Sequence, residues 1–383
     1  MTTSASPSVM LVAGEASGDL HGAALCRALR ELNPRCRLYG MGGARMAAEG
    51  MDVLIDVTAK AVTGGSEAFG QVPRLYRAYR ELRAVLEGPD RPAVLVLIDF
   101  PEFNLRLARA ARRAHVPVVY FIPPQVWAWR GGRVKLIRQV VSLVLAVFPF
   151  EAPLYRRAGV PVEFVGHPLL DQLQAAPTRE VARRRLGLAD GTPVVALLPG
   201  SRRQEIVRLL PAMREATAEI VRAVPGTRFV LGLAPTIERE LVAHHLAGGP
   251  PVEIVANQTH DVIRAADLAL VTSGTVTLEA ALLGTPMVVC YRLSLASELM
   301  VRLLIRVPWV SLANLILGRA VVPELYRQTT IDRHLAREAL RLLTDPGARE
   351  TQRQAFSELA GQLGEPGVGT RAARFVLAQA GAA

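Results

Sequence analysis

The stretch VTSGTVTLE (271–279) concentrates hydroxyls, one glycine and one carboxylate between two apolar runs. An apolar segment precedes it at 266–270, a helical pattern continues from Ala280, and GTPMVV (284–289) follows. The pattern predicts a strand, a small-residue loop, a short helix and then a second buried strand. Such a loop leaves the amides of the helix N-terminus open, and their dipoles favour an anionic group. Ser273, Gly274 and Thr275 form the loop, and the Ser273, Thr275 and Thr277 hydroxyls add donors. Glu279, one turn in, would repel a phosphate but suits paired hydroxyls such as those of a ribose. That combination points to a nucleotide sugar rather than ATP.

PGSRRQE (199–205) after the apolar run at 194–198 predicts a tight turn ending in a helix N-terminus. Ser201, Arg202 and Arg203 there suit a diphosphate leaving group. IDFPEFN (98–104) places Asp99 at the C-terminal end of a buried strand, the edge where open α/β sheets bind ligands. A carboxylate there can act as general base toward a sugar hydroxyl. Capping of the helix near Asn104 explains Asp99 equally well. VAGEASGD (12–19) follows the first strand, with Gly14 and Gly18 allowing close backbone approach and Ser17 or Asp19 placed to cap the helix. Its spacing is not GxGxxG, and Glu15 disfavours a pyrophosphate, so no dinucleotide site is expected. A capped turn without a ligand explains that segment alone, and His21 reads as a partly buried histidine. FIPPQVWAWR (121–130) puts Trp127 and Trp129 beside Arg130, which suggests a cleft wall as readily as core packing.

The elements that must position these groups alternate. Strands are expected at 9–13, 53–56, 94–98, 118–121, 143–148 and 162–165, with helices at 20–32 and 105–114. A second set starts at 194 and runs through 229–233 and 252–255 to the 271–279 motif. Continuous apolar strands between helices indicate parallel sheets covered on both faces, and the repetition indicates two Rossmann-like halves with a cleft between them. The expected units are 1–168 and 169–345. A helical tail, 346–383, would pack back on the first unit or on a partner subunit.

At 383 residues the chain exceeds one typical core, and 50% hydrophobic content with 31 Gly and 26 Pro fits a loop-punctuated enzyme rather than a disordered chain. Cys26, Cys36 and Cys290 lack CxxC spacing, which favours free thiols in a reducing compartment. The N-terminus has no basic n-region, so no signal peptide is expected. The net charge of +11 comes from 45 basic residues of which only Lys60 and Lys135 are lysine. Arginine suits phosphate. Without a nucleic-acid module, an anionic membrane surface is the preferred partner. The segment at 72–83 carries Arg74, Arg77, Arg80 and Arg83 on one face, and the apolar stretch 299–317 has similar character; each also reads as an ordinary core-facing helix. No DxD or His/Cys/carboxylate spacing suggests a metal.

AGEASGD (13–19) with His21 and Gly22, IDFPEFN, VWAWR (126–130) and FVGHPLLD (164–171) together resemble the lipid-A-disaccharide synthase family. LLPGSRRQEI (197–206), TSGTVTLEAALLGTPMVV (272–289), Asn314, Gly318-Arg319 and VPEL (322–325) extend the likeness across most of the chain. Departures fall at 122–125, IPPQ in place of a Ser-Pro-Ser-like run, and at Thr63-Gly-Gly-Ser-Glu67, a loose match to Met-Gly-x-x-Glu. The resemblance implies an α/β chain of GT-B architecture, a metal-independent inverting hexosyltransferase without a cofactor. It would join UDP-2,3-diacylglucosamine to 2,3-diacylglucosamine 1-phosphate (lipid X), forming a β-1,6 disaccharide 1-phosphate and UDP in lipid A biosynthesis. Asp99 would be the base with His21 in reserve. Ser201, Arg202, Ser273, Gly274, Thr275, Glu279 and Asn314 would hold the UDP-sugar. Ser17, Trp127, Trp129 and Arg130 would face the acceptor. The first unit would serve the acceptor and membrane, the second the donor. The resemblance also implies a cytoplasmic enzyme docked on the inner membrane, possibly as a homodimer, with no nucleic acid. A UDP-N-acetylglucosamine 2-epimerase-like enzyme shares the donor motif, and a non-catalytic basic protein for anionic lipid or nucleic acid is the reading from another class.

Overall fold

The computed structural model describes residues 7–56, 68–126, 132–292, 309–326 and 328–381. The chain divides into two compact units, Met1–Asp171 with Leu363–Ala383, and Gln172–Gln362.

The first unit is built on seven parallel strands: β1 (Ser8–Ala13), β2 (Arg37–Gly42), β3 (Asp52–Asp56), β4 (Val94–Ile98), β5 (Val118–Phe121), β6 (Leu143–Ala146) and β7 (Val162–Phe164). Their order is β3-β2-β1-β4-β5-β6-β7. The central pair is fully apolar, and every residue from Val9 to Ala13 and from Val94 to Ile98 is sealed from solvent. Strands buried on both faces read this way because helices cover each side. β2 was hidden in the sequence by Gly40. That glycine has φ +140°, and a Cβ on it would come 2.2 Å from the Leu11 carbonyl oxygen, so the residue that breaks the apolar pattern permits the pairing with β1. The strand expected to reach Phe148 stops at Ala146, because the buried Glu151 carboxylate takes the amides of Val147 and Phe148.

The second unit carries β8 (Val194–Leu198), β9 (Arg228–Leu233), β10 (Val252–Ala256), β11 (Leu268–Thr272), β12 (Met287–Cys290) and the short β13 (Glu324–Leu325). The order is β10-β9-β8-β11-β12-β13, again all parallel. In both sheets the strand order reverses between the first strand and its fourth, β1 beside β4 and β8 beside β11. Loops leaving the C-terminal ends of such a pair diverge to opposite faces and open a crevice. The residues of interest leave those ends: 14–17 and 99–100 in the first unit, 199–202 and 273–274 in the second.

The C-terminal helices part company. Pro346–Gln362 stays in the second unit, where the Gln352 side-chain amide bonds both the amide and the carbonyl of Met287 on β12. Val368–Gln379 packs on Ala16–Leu32 of the first unit, and the Asp171 carboxylate caps its start by accepting from the amides of Gly367, Val368 and Gly369. The tail expected at 346–383 therefore divides at residue 362, because each helix buries its apolar face on a different sheet. Among the described residues no helix is long and apolar enough to cross a membrane.

Candidate active site

In the first unit the chain leaves β4 through two consecutive left-handed residues, Asp99 (φ 47°) and Phe100 (φ 46°). Neither is glycine, so the conformation is costly and persists only where neighbours over-determine it. The Asp99 carbonyl is held by Asn104 Nδ2 at 2.7 Å and the Tyr120 hydroxyl at 2.8 Å, and Asn104 also bonds the Ile98 carbonyl. Asn104 is fully buried, so it serves Asp99 as an anchor. The cap reading of Asp99 is corrected here, since Phe100 occupies the N-cap position of helix Pro101–Arg113 and no side chain caps it. Burial, and secondly the Glu15 charge, push the Asp99 carboxyl above the usual range; a bond from the Phe100 amide opposes them. That environment makes a carboxylate a stronger base than one in water. In the next loop Ile122 also has positive φ (57°), unusual for a β-branched residue, within the departing IPPQ run.

Helix Ala16–Leu32 begins one turn earlier than expected, and Ser17 lies exposed in its first turn. Asp19 does not cap that helix. It is buried and accepts from the amides of Gly43, Arg45 and Met46, so it fixes the loop after β2. His21 is lowered to about 4 by burial. His167 is lowered to about 3 by burial and by the nearness of His21, and its Nδ1 accepts from the Leu169 amide. Both imidazoles are therefore neutral at physiological pH.

In the second unit one cavity of about 350 Å³ is lined by Ser201, Arg202, Ser273, Gly274, Thr275 and Glu279 together. The amides of the first turn are not all open. Glu205 Oε2 accepts from the Ser201 amide at 2.9 Å and the Arg202 amide at 3.1 Å, while Oε1 pairs with the Arg202 guanidinium at 2.9 Å. Those two amides hold a carboxylate of this chain, which leaves the largely exposed Arg202 side chain and the Ser201 hydroxyl as the free donors facing a ligand. The Ser273 hydroxyl donates to the Val310 carbonyl and that of Thr277 to the Gly274 carbonyl. The Gly274–Thr275 turn opens helix Thr275–Leu282, and Glu279 lies one turn in, its Oε2 3.3 Å from His260 Nε2.

Asn314 corrects an expectation. It is buried, and its amide is consumed internally: Nδ2 bonds the Val322 carbonyl and Glu324, while Oδ1 accepts from the amides of Val321 and Val322. No donor remains for a ligand. Trp127, Trp129, Arg130, residues 63–67 and most of 299–317 lie outside the described residues.

Sequence reasoning missed Glu205, Glu324 and His260. Glu205 had a signal, because a Glu three residues after an N-cap is the reciprocal half of a capping box. Glu324 and His260 act across long sequence separations and had none.

A second cavity of about 540 Å³ lies between helices Ala68–Glu87 and Pro101–Arg113. Leu75, Tyr76, Tyr79 and Phe103 supply its apolar wall, and Arg106 and Arg109 its basic rim.

The family model for lipid-A-disaccharide synthetase matches residues 9–378. The chain is 43% identical over 372 residues to a lipid-A-disaccharide synthase of Myxococcus xanthus, covering 97% of each protein. It is 42% identical over 371 residues to that of Syntrophus aciditrophicus, covering 96% of this chain and 97% of the relative. Among solved structures it is similar in fold to a Staphylococcus aureus MnaA–UDP complex (TM-score 0.67, 13% identity, 98% of both chains covered). It is also similar to CalG4, the calicheamicin glycosyltransferase (TM-score 0.59, 16% identity, 98% of both chains).

Proposed function

This chain belongs to the lipid-A-disaccharide synthetase family and is a glycosyltransferase that makes the lipid A disaccharide; from that premise we propose how its residues divide the reaction. The donor is UDP-2,3-diacylglucosamine and the acceptor 2,3-diacylglucosamine 1-phosphate. Asp99 takes the proton of the acceptor 6-hydroxyl. The freed oxygen forms a bond to the donor anomeric carbon as the bond from that carbon to the UDP oxygen breaks on the opposite face, and UDP leaves with the electron pair. One in-line displacement inverts the centre and gives the β-1,6 link.

The second unit supplies the donor site. Arg202 and the Ser201 hydroxyl meet the charge developing on UDP, and Glu279 takes the ribose hydroxyls. The observation that carries the assignment is the gathering of Ser201, Arg202, Ser273, Gly274, Thr275 and Glu279 around one cavity. The first unit supplies the base. A general base contributes about 10²–10⁴ in rate, so Asp99→Ala should lose that order of turnover with UDP affinity retained. His21, buried and neutral, stands in reserve, and Ser17 with Trp127, Trp129 and Arg130 faces the acceptor.

Because both substrates are acylated, the enzyme works docked on the inner face of the cytoplasmic membrane, possibly as a homodimer. The arginines on helix Ala68–Glu87 and the exposed Tyr76 support that docking. Sedimentation with anionic vesicles tests it, and binding that ignores lipid charge would refute it.

The deciding experiment is a thin-layer assay with radiolabelled acylated sugar 1-phosphate, UDP-diacylglucosamine and EDTA. A slower disaccharide spot with UDP release is expected. UDP binding without a disaccharide would turn the reading toward an epimerase-like reaction.

A further inference from the structure

Ser273 carries one hydroxyl hydrogen, and that hydrogen is committed. Its Oγ lies 3.0 Å from the carbonyl oxygen of Val310, a group that can only accept. Val310 is itself held in place. Its amide donates to Glu324 Oε2 at 2.7 Å. The next residue, Ser311, gives both its amide (3.0 Å) and its hydroxyl (2.8 Å) to Glu324 Oε1. Asn314 Nδ2 adds a bond at 2.7 Å to the same oxygen, and the Ser311 hydroxyl in turn caps the Asn314 amide. Glu324 thus gathers four donors, and removing it would strip the support beneath the Val310 carbonyl.

The consequence concerns polarity. With its hydrogen spent, Ser273 Oγ can offer a ligand only a lone pair. A phosphate oxygen set against it would meet repulsion. Turning the hydroxyl toward a phosphate would leave the Val310 carbonyl without this partner. We infer that Ser273 enters the donor cavity as a hydrogen-bond acceptor, kept so by Glu324 acting through Val310, and that it reads a hydroxyl or amide N–H of the transferred sugar rather than the diphosphate. The inference rests on the reading of this cavity as the UDP-sugar site. Within that reading Glu279 takes the ribose, which leaves the transferred sugar as the donor group for Ser273. Ser273 is then a specificity residue, and Glu324 a positioning residue that touches no substrate.

The test compares UDP with UDP-2,3-diacylglucosamine by calorimetric titration of the wild-type chain, Ser273→Ala, Glu324→Gln and the double variant. Ser273→Ala should weaken the UDP-sugar about fivefold and leave UDP unchanged. Glu324→Gln should weaken the UDP-sugar similarly, and the double variant should be no worse than Ser273→Ala alone, because both act through one hydroxyl. Should Glu324→Gln fail to fold, Ser311→Ala removes one donor from the same carboxylate and should show the same non-additivity in smaller measure. Equal weakening of UDP and UDP-sugar by Ser273→Ala would put the hydroxyl on the diphosphate and overturn the proposal. Additive losses in the double variant would remove Glu324 from it. A wild-type chain that binds neither ligand would take down the site assignment itself, a different failure.

Discussion

The ring of Phe100 lies on Gly14: a Cβ built on that glycine would come 2.0 Å from Phe100 Cδ1. The contact ties the loop after β1 to the loop after β4, and Phe100 directly follows Asp99. Gly14→Ala should therefore displace the peptide that carries the base. A loss of about tenfold to a hundredfold in kcat is expected from such misplacement, with unchanged UDP affinity and a stability cost of about 1–3 kcal/mol. Steady-state kinetics beside a UDP titration decide it; an unaltered kcat would uncouple the two loops.

The raised Asp99 carboxyl gives two pH outcomes. A raised folded value favours the protonated form, so its stabilising contribution is full below the ordinary value of 3.8 and is lost as pH rises through the raised value. Asp99→Asn, permanently neutral, should thus be inactive yet melt higher than wild type at neutral pH. Glu15→Gln removes one cause of the shift and should move the acid limb of kcat/KM to lower pH. An acid limb that stays in place would show that Glu15 does not act on the base.

Arg202 pairs only with Glu205, one turn along its own helix, and its side chain is 79% exposed. Replacing it with alanine should raise the Kd for UDP about tenfold, the scale of one charge-assisted phosphate contact. Fluorescence or calorimetric titration measures this directly, and an unchanged Kd would move the diphosphate elsewhere in the cavity.

His21 and His167 are depressed from 6.5 to about 4 and about 3. Depressed basic groups carry stability that is intact above 6.5 and drains away as pH falls toward the folded values, because the unfolded chain binds the protons first. The melting temperature should be level above pH 7 and fall below pH 6.5. His21→Asn should flatten that acid slope; the same slope in the variant would assign it to other groups.

Much of this was legible beforehand, for a physical reason. β1, β4, β8 and β11 are buried on both faces, so they appear as unbroken apolar runs, and the polar residues just after each run mark the sheet edge. β2 escaped because Gly40, required for close approach to β1, interrupts its apolar pattern, and β13 because two residues make no pattern. Residue type announced chemistry without telling ligand from lock. Asp19 and Asn314 look like site residues, yet each spends its side chain on backbone groups or a buried carboxylate of its own unit. The partner of Ser273 lies 37 residues downstream, beyond the reach of any spacing rule.

Asp171 and the helix it caps make the first unit discontinuous along the chain, with the whole second unit intervening. On the ribosome, the segment that covers one side of Ala16–Leu32 emerges last, after the UDP-binding half has already been made. The nascent acceptor half must wait, partly uncovered, while an inserted neighbour folds ahead of it. Clipping the final helix would accordingly strike the half bearing Asp99 and spare the half bearing Arg202.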